Sequence, residues 1–262
     1  MSERLKFFRV ETDGRGIATV TFDRPPVNAV SFDVYPEIRQ LAESIEATDE
    51  VRVVVLTSPP GSRAWCGGAD VRDFLPLDYT TRLERYTLIN ACLPSLYHLN
   101  RPVIGALNSH AVGLGLVLAA FCDIRVASAD AFFGFPEIDR GVLAGGGSFL
   151  LRLNLPAGLI REMIYTGRRF AAEELRNTGF FNYVVPKDQV MSKSMELADV
   201  IAKKSLPALK ANKLCNNASE SMSWLEAFKF SQSESAKLTT TNDAKEGIRA
   251  FLEKRRPEYG DH

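Results

Sequence analysis

Glu137 follows Phe132, Phe133, Gly134, Phe135 and Pro136, an acid set among aromatic rings. Apolar surroundings disfavour the charged carboxylate and raise its pKa, which suits a general base or acid. The same residue also fits an ordinary surface-loop acid, and its neighbours leave both readings open. Two further segments offer backbone where a reactive side chain is missing. One is "AWCGGADVRDF", Ala64 to Phe74, and the other contains Gly113-Leu114-Gly115 at the head of an apolar run. A third glycine run, Gly145-Gly146-Gly147, precedes a helix expected to start near Ser148. Glycine at such places lets another backbone or a ligand approach closely. Each segment reads as a turn entering a helix, where N–H groups lack partners and the helix dipole favours negative charge. Two such N–H groups converging on one point would form an oxyanion hole. Taken singly, each is equally a plain turn, with Asp70 capping a helix in the first.

Other chemistries fail on residue type. Neither glycine run ends in Gly-Lys-Ser/Thr, so no P-loop is present, and no serine sits in G-x-S-x-G. "VIGALNSHAVGLGLVLA" imitates a dinucleotide fingerprint, but its third glycine position is Leu118 and no clear acid closes the unit, Asp130 being the nearest candidate. The histidines, His98, His110 and His262, and the cysteines, Cys66, Cys92, Cys122 and Cys215, form no metal-binding spacing. Cysteines so dispersed fit a reduced compartment. With 32 basic and 32 acidic residues, nothing attracts nucleic acid. No apolar run approaches the roughly 20 residues of a membrane helix. "MSERLKFFRVE" has no apolar leader region, so the expected compartment is the cytoplasm, or the mitochondrial matrix if a leader was removed.

The elements that must position these residues form an α/β pattern. "IATVTF", "VRVVVLTS", "VIGALN" and "DIRVAS" read as buried strands. "PEIRQLAESIEA" places Ile38, Leu41, Ala42 and Ile45 on one helical face. Beyond Leu155 the chain turns helical, through "GLIREMIYTGRRF", "KSMELADVIAKKS", "PALKANKLCNNAS", "WLEAFKFSQSESAKL" and "AKEGIRAFLEKRR". In the last, Asp243 and Glu246 suggest a capping box. The apolar faces of this region must be buried on the core or on a partner subunit.

These segments resemble the crotonase superfamily of enoyl-CoA hydratases and isomerases over nearly the whole chain. The resemblance rests on "ATVTFDRPPVNAVS", "VVVLTS", "AWCGGADVRDF", "RPVIGALNSHAVGLGLVLAAFCDIRVAS", "FGFPEIDRGVLAGGGSFLLRL", "TGRRFAAEEL" and "AKEGIRAFLEKRRPEY". It implies a spiral of β-β-α turns, with residues 1–195 forming the acyl-CoA-binding core. Residues 196–262 then form a helical region that assembles a homotrimer or a dimer of trimers. The implied partner is an acyl-CoA thioester, with coenzyme A as the substrate's carrier and no resident cofactor or metal. By position, the oxyanion donors are the N–H groups of Ala69 and Leu114, each worth about 3 kcal/mol of barrier.

The family's hydratases use two glutamates. One position is Glu137 and the other is Val117, which can neither accept a hydrogen bond nor hold water. A single base suits migration of a double bond from C3 to C2. The first expectation is therefore an enoyl-CoA isomerase with Glu137 as its base. The alternatives are a hydratase or hydratase-lyase working with one glutamate, a decarboxylase or hydrolase, and a non-catalytic acyl-CoA binder. Arg24, Arg63, Arg72 and Lys254 are the candidates for coenzyme A phosphates, with surface ion pairs as their plainer use. Phe251 and Lys254 would reach the pocket of a neighbouring subunit. Ala29, Ala64, Gly68, Asp70, Val71, Gly113 and Val117 complete the expected binding residues. Asp139 and Arg140 fit loop salt bridges, His110 a structural role, and Cys66 a place near the coenzyme A pocket without a base. The stretch Leu75 to Thr87 is expected near the acyl end and shows no pattern that specifies a substrate.

Overall fold

The computed structural model describes residues 5–75, 78–145, 147 and 155–260. Gly146, Ser148 and His262, singled out above, and positions 76 and 77 of the acyl-end stretch lie outside the described residues.

The chain begins with an antiparallel hairpin, β1 (Phe8–Thr12) and β2 (Ile17–Phe22). Strands β3 (Val53–Thr57), β5 (Val103–Leu107), β7 (Ile124–Ser128) and β10 (Tyr183–Val185) extend it in parallel. Their order is β1-β2-β3-β5-β7-β10. A smaller sheet runs β4 (Ala64–Cys66), β6 (His110–Val112), β8 (Phe132–Gly134) and β9 (Phe170–Ala171), with only β9 antiparallel. Thus β3-β4, β5-β6 and β7-β8 each place one strand in either sheet before the chain enters a helical turn. This is the expected β-β-α spiral.

All five residues of β3 are buried. Val54 and Leu56 enter the larger core, whereas Val53 and Val55 enter a second core across the sheet. Burial on both faces explains the unbroken apolar run in its sequence. Helix α1 (Val34–Glu46) buries Ile38, Leu41, Ala42 and Ile45, as its periodicity predicts. Each large aliphatic side chain among these contributes about 1.5–3 kcal/mol. Helices α2 (Tyr79–Cys92) and α3 (Pro94–His98) follow β4, and α4 (Leu114–Phe121) follows β6.

The C-terminal third contains α5 (Ala157–Thr166), α6 (Val190–Ala202), α7 (Leu206–Ser219), α8 (Trp224–Leu238) and α9 (Asn242–Leu252). A division after residue 195 falls within α6, which lays Val190, Ala198 and Ala202 on the second core. Lys213 on α7 donates to Asp123 at 2.8 Å and to Arg101 O at 3.0 Å, tying the helical region to the sheet. The cap of α9 differs from the sequence expectation. Thr241, extended at φ −70° and ψ 153°, accepts from Ala244 N–H at 3.1 Å. Asp243 lies inside the helix and accepts from Gly260 N–H at 2.8 Å, while Glu246 takes Arg255. The capping turn therefore starts two residues earlier, and both acids fasten the C-terminal strand of chain. Ile248, Phe251 and Leu252 on α9 remain exposed, as do Trp224 and Phe228 on α8. Among the described residues, no helix is long and apolar enough to cross a membrane.

Candidate active site

The first turn of α4 is shaped by contacts that only glycine allows. Gly113 has φ 55°, and a Cβ there would stand 2.3 Å from Glu137 Oε1. A Cβ on Gly115 would stand 2.2 Å from Cys66 O. The helix behind is buried from Gly115 to Phe121, so its apolar surface has core on every side. Leu116 and Val117 N–H both return to Gly113 O, whereas Leu114, the first helical residue, lines a cleft.

Ala69 is presented by a parallel bridge to Val30. Val30 N–H donates to Gly68 O at 2.8 Å, and Asp70 N–H donates to Val30 O at 2.9 Å. This pairing uses the groups on either side of Ala69 and turns its own N–H away from Val30. Gly68, at φ 90°, packs on that opposite side, where a Cβ would lie 2.8 Å from Val112 O and 3.6 Å from Leu114 N. The two donor segments are thus adjacent.

Glu137 sits on a 3₁₀ turn, Pro136–Arg140, that Gly141 ends in the left-handed region. Gly113 N–H donates to Gly134 O at 2.9 Å and joins this segment to the start of α4. Burial pushes the Glu137 pKa up, and the charge of Arg140 tempers the rise. Its Oε2 is buried without a hydrogen-bond partner. A half-buried carboxylate with an unused oxygen is available to take a proton.

Ala69, Leu114, Val117 and Glu137 line one cleft. Among its described lining residues Glu137 is the one carboxylate, and Val117 supplies only methyl groups. The rest of its described lining includes Tyr35 on α1, then Phe74, then Arg82, Arg85, Tyr86 and Ile89 on α2, and the segment from Val142 to Gly145. Arg82, Arg85 and Tyr86 fall in the Leu75 to Thr87 stretch expected near the acyl end, although the sequence singles out no single residue of it, nor Tyr35 or Ile89. A usable signal was present: residues 82, 85, 86 and 89 follow the i, i+3, i+4, i+7 spacing of one helical face.

The other candidates lie elsewhere. Asp70 is buried and accepts from Arg72 Nε at 2.9 Å, Arg72 Nη2 at 2.6 Å and Arg24 Nη2 at 3.0 Å. The Arg72 hydrogen bonds hold its carboxyl well below the usual range. Arg24 also donates to Ala29 O at 3.0 Å, so it is committed to the scaffold beside the cleft. Arg72 and Val71 are exposed there. Ala64 is buried in β4, and Arg63 is exposed before it. Phe251 and Lys254 are exposed and do not line this chain's own cleft. His110 Nδ1 accepts from Phe132 N–H at 3.1 Å and its ring stacks on Phe132 at 3.6 Å, a packing role. Cys66 is fully buried, with its thiol pushed up to about 12 by burial, and it does not reach the cleft. Asp139 and Arg140 form no ion pair among the described residues. Arg140 instead donates to Pro136 O at 3.1 Å.

The enoyl-CoA hydratase/isomerase profile matches residues 12–262. The chain belongs to the enoyl-CoA hydratase/isomerase family. It is 34% identical over 245 residues to YngF of Bacillus subtilis (strain 168), named for the same family, with 93% of this chain and 94% of that protein covered. It is 32% identical over 251 residues to the short-chain-enoyl-CoA hydratase of Clostridium acetobutylicum, covering 95% of each. The crystal structure of an enoyl-CoA hydratase from Mycobacterium smegmatis superposes with a TM-score of 0.91 at 26% identity, over 97% of this chain and 99% of that one. Enoyl-CoA hydratase/isomerase members thus share this fold from end to end.

Proposed function

We propose that the protein is an enoyl-CoA isomerase that moves a double bond from C3 to C2 with Glu137 as its single base. The observation that carries this reading is that Glu137 is the one carboxylate among the cleft's described lining residues, with the apolar Val117 lining the same cleft. The thioester oxygen would rest on Ala69 N–H and Leu114 N–H. Glu137 takes a proton from C2, and the C–H electrons spread into a dienolate whose charge the two N–H groups hold. The protonated Glu137 then returns the proton at C4, leaving the double bond between C2 and C3 and the base restored. An apolar Val117 keeps a nucleophilic water from that face.

Coenzyme A is on this reading the substrate's carrier, and the chemistry needs no resident cofactor. The exposed apolar residues of α8 and α9 pack against further copies in a homotrimer or dimer of trimers, where Phe251 and Lys254 meet a neighbour's bound thioester. Residues 1–195 then serve as the acyl-CoA core and 196–262 as the assembly region.

Hydration by one glutamate is the second reading, favoured by the hydratase names among the relatives. Separate incubations with 3-enoyl-CoA and 2-enoyl-CoA, followed by mass, decide between them. Isomerisation converts the 3-enoyl thioester without a mass change, whereas hydration adds one water to the 2-enoyl thioester. Glu137→Gln should lower turnover by about 10²–10⁴-fold while acyl-CoA still binds. Unchanged turnover in that variant would remove Glu137 from the mechanism.

A further inference from the structure

The wall of the cleft opposite the apolar helix carries positive charge that the reaction does not use. Arg85 is 3% exposed, and its Nε is buried without a hydrogen-bond partner. Its guanidinium touches only neutral groups: Nη2 donates to Tyr35 Oη at 3.0 Å, and the plane lies 4.3 Å from the Phe74 ring centre. Arg82, one turn earlier on α2, also lies 4.3 Å from that ring. Neither arginine forms an ion pair among the described residues. Among the described residues, the acids of the adjoining hollow make no ion pair with Arg82 or Arg85 and spend hydrogen bonds on backbone N–H groups. Asp73 accepts from Phe32 N–H at 2.8 Å, and Asp78 caps α2 through Thr81 N–H at 2.9 Å. Glu137, in the same cleft, forms no ion pair with either arginine among the described residues. A buried guanidinium with an unmet donor and no counter-ion is costly unless an anion completes it. Arginine is also the side chain best suited to grip a carboxylate with two parallel hydrogen bonds.

We propose that the acyl end of this cleft takes a carboxylate, so that the substrate is the coenzyme A thioester of a short dicarboxylic acid. The free carboxylate lies on Arg85, with Arg82 supporting it from the same helical face. The thioester lies at Ala69 and Leu114, and the reacting carbons lie under Glu137. The inference rests on the reading of the cleft as an acyl-CoA site, and it deepens that reading by naming the substrate class. An aliphatic enoyl-CoA would bring no anionic partner to either arginine.

The test is a binding comparison by calorimetry on the full chain. Succinyl-, glutaryl- and adipyl-CoA are each measured against the thioester of equal length whose carboxylate is replaced by an isopropyl group. At one length at least, the anionic thioester should bind about 10- to 100-fold more tightly. Arg85→Met should abolish that preference while leaving the isopropyl thioester and free coenzyme A bound as in the wild type. Arg85→Lys should restore part of it. Equal or tighter binding of the isopropyl thioester at all three lengths overturns the proposal. So does an Arg85→Met variant that weakens free coenzyme A as much as glutaryl-CoA, because Arg85 would then serve the carrier. If Arg85→Met does not fold, the wild-type series alone decides. Exchange of the C2 proton with solvent deuterium separates this from the catalytic reading. Exchange without a carboxylate preference sinks the substrate class alone, and preference without exchange sinks the catalytic role of Glu137 alone.

Discussion

Gly113→Ala should switch off the base while leaving the fold in place. A Cβ on Gly113 would lie 2.3 Å from Glu137 Oε1, and real Cβ atoms essentially never approach a neighbour within 3.0 Å. The carboxylate must therefore retreat by at least about 0.7 Å, the difference between those two distances. The atom that gives way is the far end of a flexible side chain, so the clash itself is relieved cheaply. Function is not, because a displacement near 1 Å at a reacting group costs about 10²-fold in rate. The second cost is backbone strain, since φ 55° is unfavourable for alanine and takes about 1–3 kcal/mol of stability. Gly61→Ala separates the two effects. Gly61 has φ 81° with nothing within 4 Å of an added Cβ, so it carries strain without touching the site. The assay is C2-proton exchange of butyryl-CoA by mass, beside urea unfolding of both variants. The expected result is comparable destabilisation, with exchange lost about 10²-fold only in Gly113→Ala. A folded Gly113→Ala protein within twofold of wild-type exchange would refute the idea that this contact positions the base.

The raised pKa of Glu137 has two further consequences. If Glu137 is the base proposed above, its basic form is the working one, so the acid limb of kcat/KM should have its midpoint above 4.5, the ordinary glutamate value, and a pH–rate profile on a slow substrate reads it directly. The same burial destabilises the native state whenever the group is ionised. Above the folded pKa that penalty is complete, and below the unfolded value both states are protonated and it vanishes. Glu137→Gln should accordingly raise Tm at pH 8, with the gain shrinking as pH falls towards 4.5 and lost below it; a gain that grows on acidification would reverse the sign of the argument. Thiol alkylation should distinguish the cysteines: Cys66 and Cys122, both pushed up to about 12 by burial, should stay unmodified by iodoacetamide at pH 8 in the native protein while Cys215, which is partly exposed, reacts. Rapid loss of the Cys66 thiol without unfolding would contradict its closed position behind Gly115.

What the sequence discloses follows from how each element is buried. The inner strands β2, β3, β5 and β7 of the large sheet are legible because core covers both their faces, leaving apolar runs such as Val53–Thr57. Its edge strands β1 and β10 are less buried and carry no such run. The small sheet is not legible, because strands of two or three residues are too short to carry a period. Glu137, Gly113 and the donor segments stand out through glycine and aromatic neighbours that no ordinary loop requires. The stretch that holds Arg85 is expected near the acyl end, but which of its residues turn inward stays hidden for a different reason. Arg85 meets Tyr35 across 50 positions of chain, and a polar helix such as α2 ordinarily turns its arginines to solvent. Only the packing of α1 against α2 turns that face inward and makes two unpaired cations part of a cleft. On the proposed reading the reaction is therefore written in local motifs, and the substrate in a long-range contact. Two chains of this family can share every glycine of the donor segments and differ in what they bind through a single residue on α2.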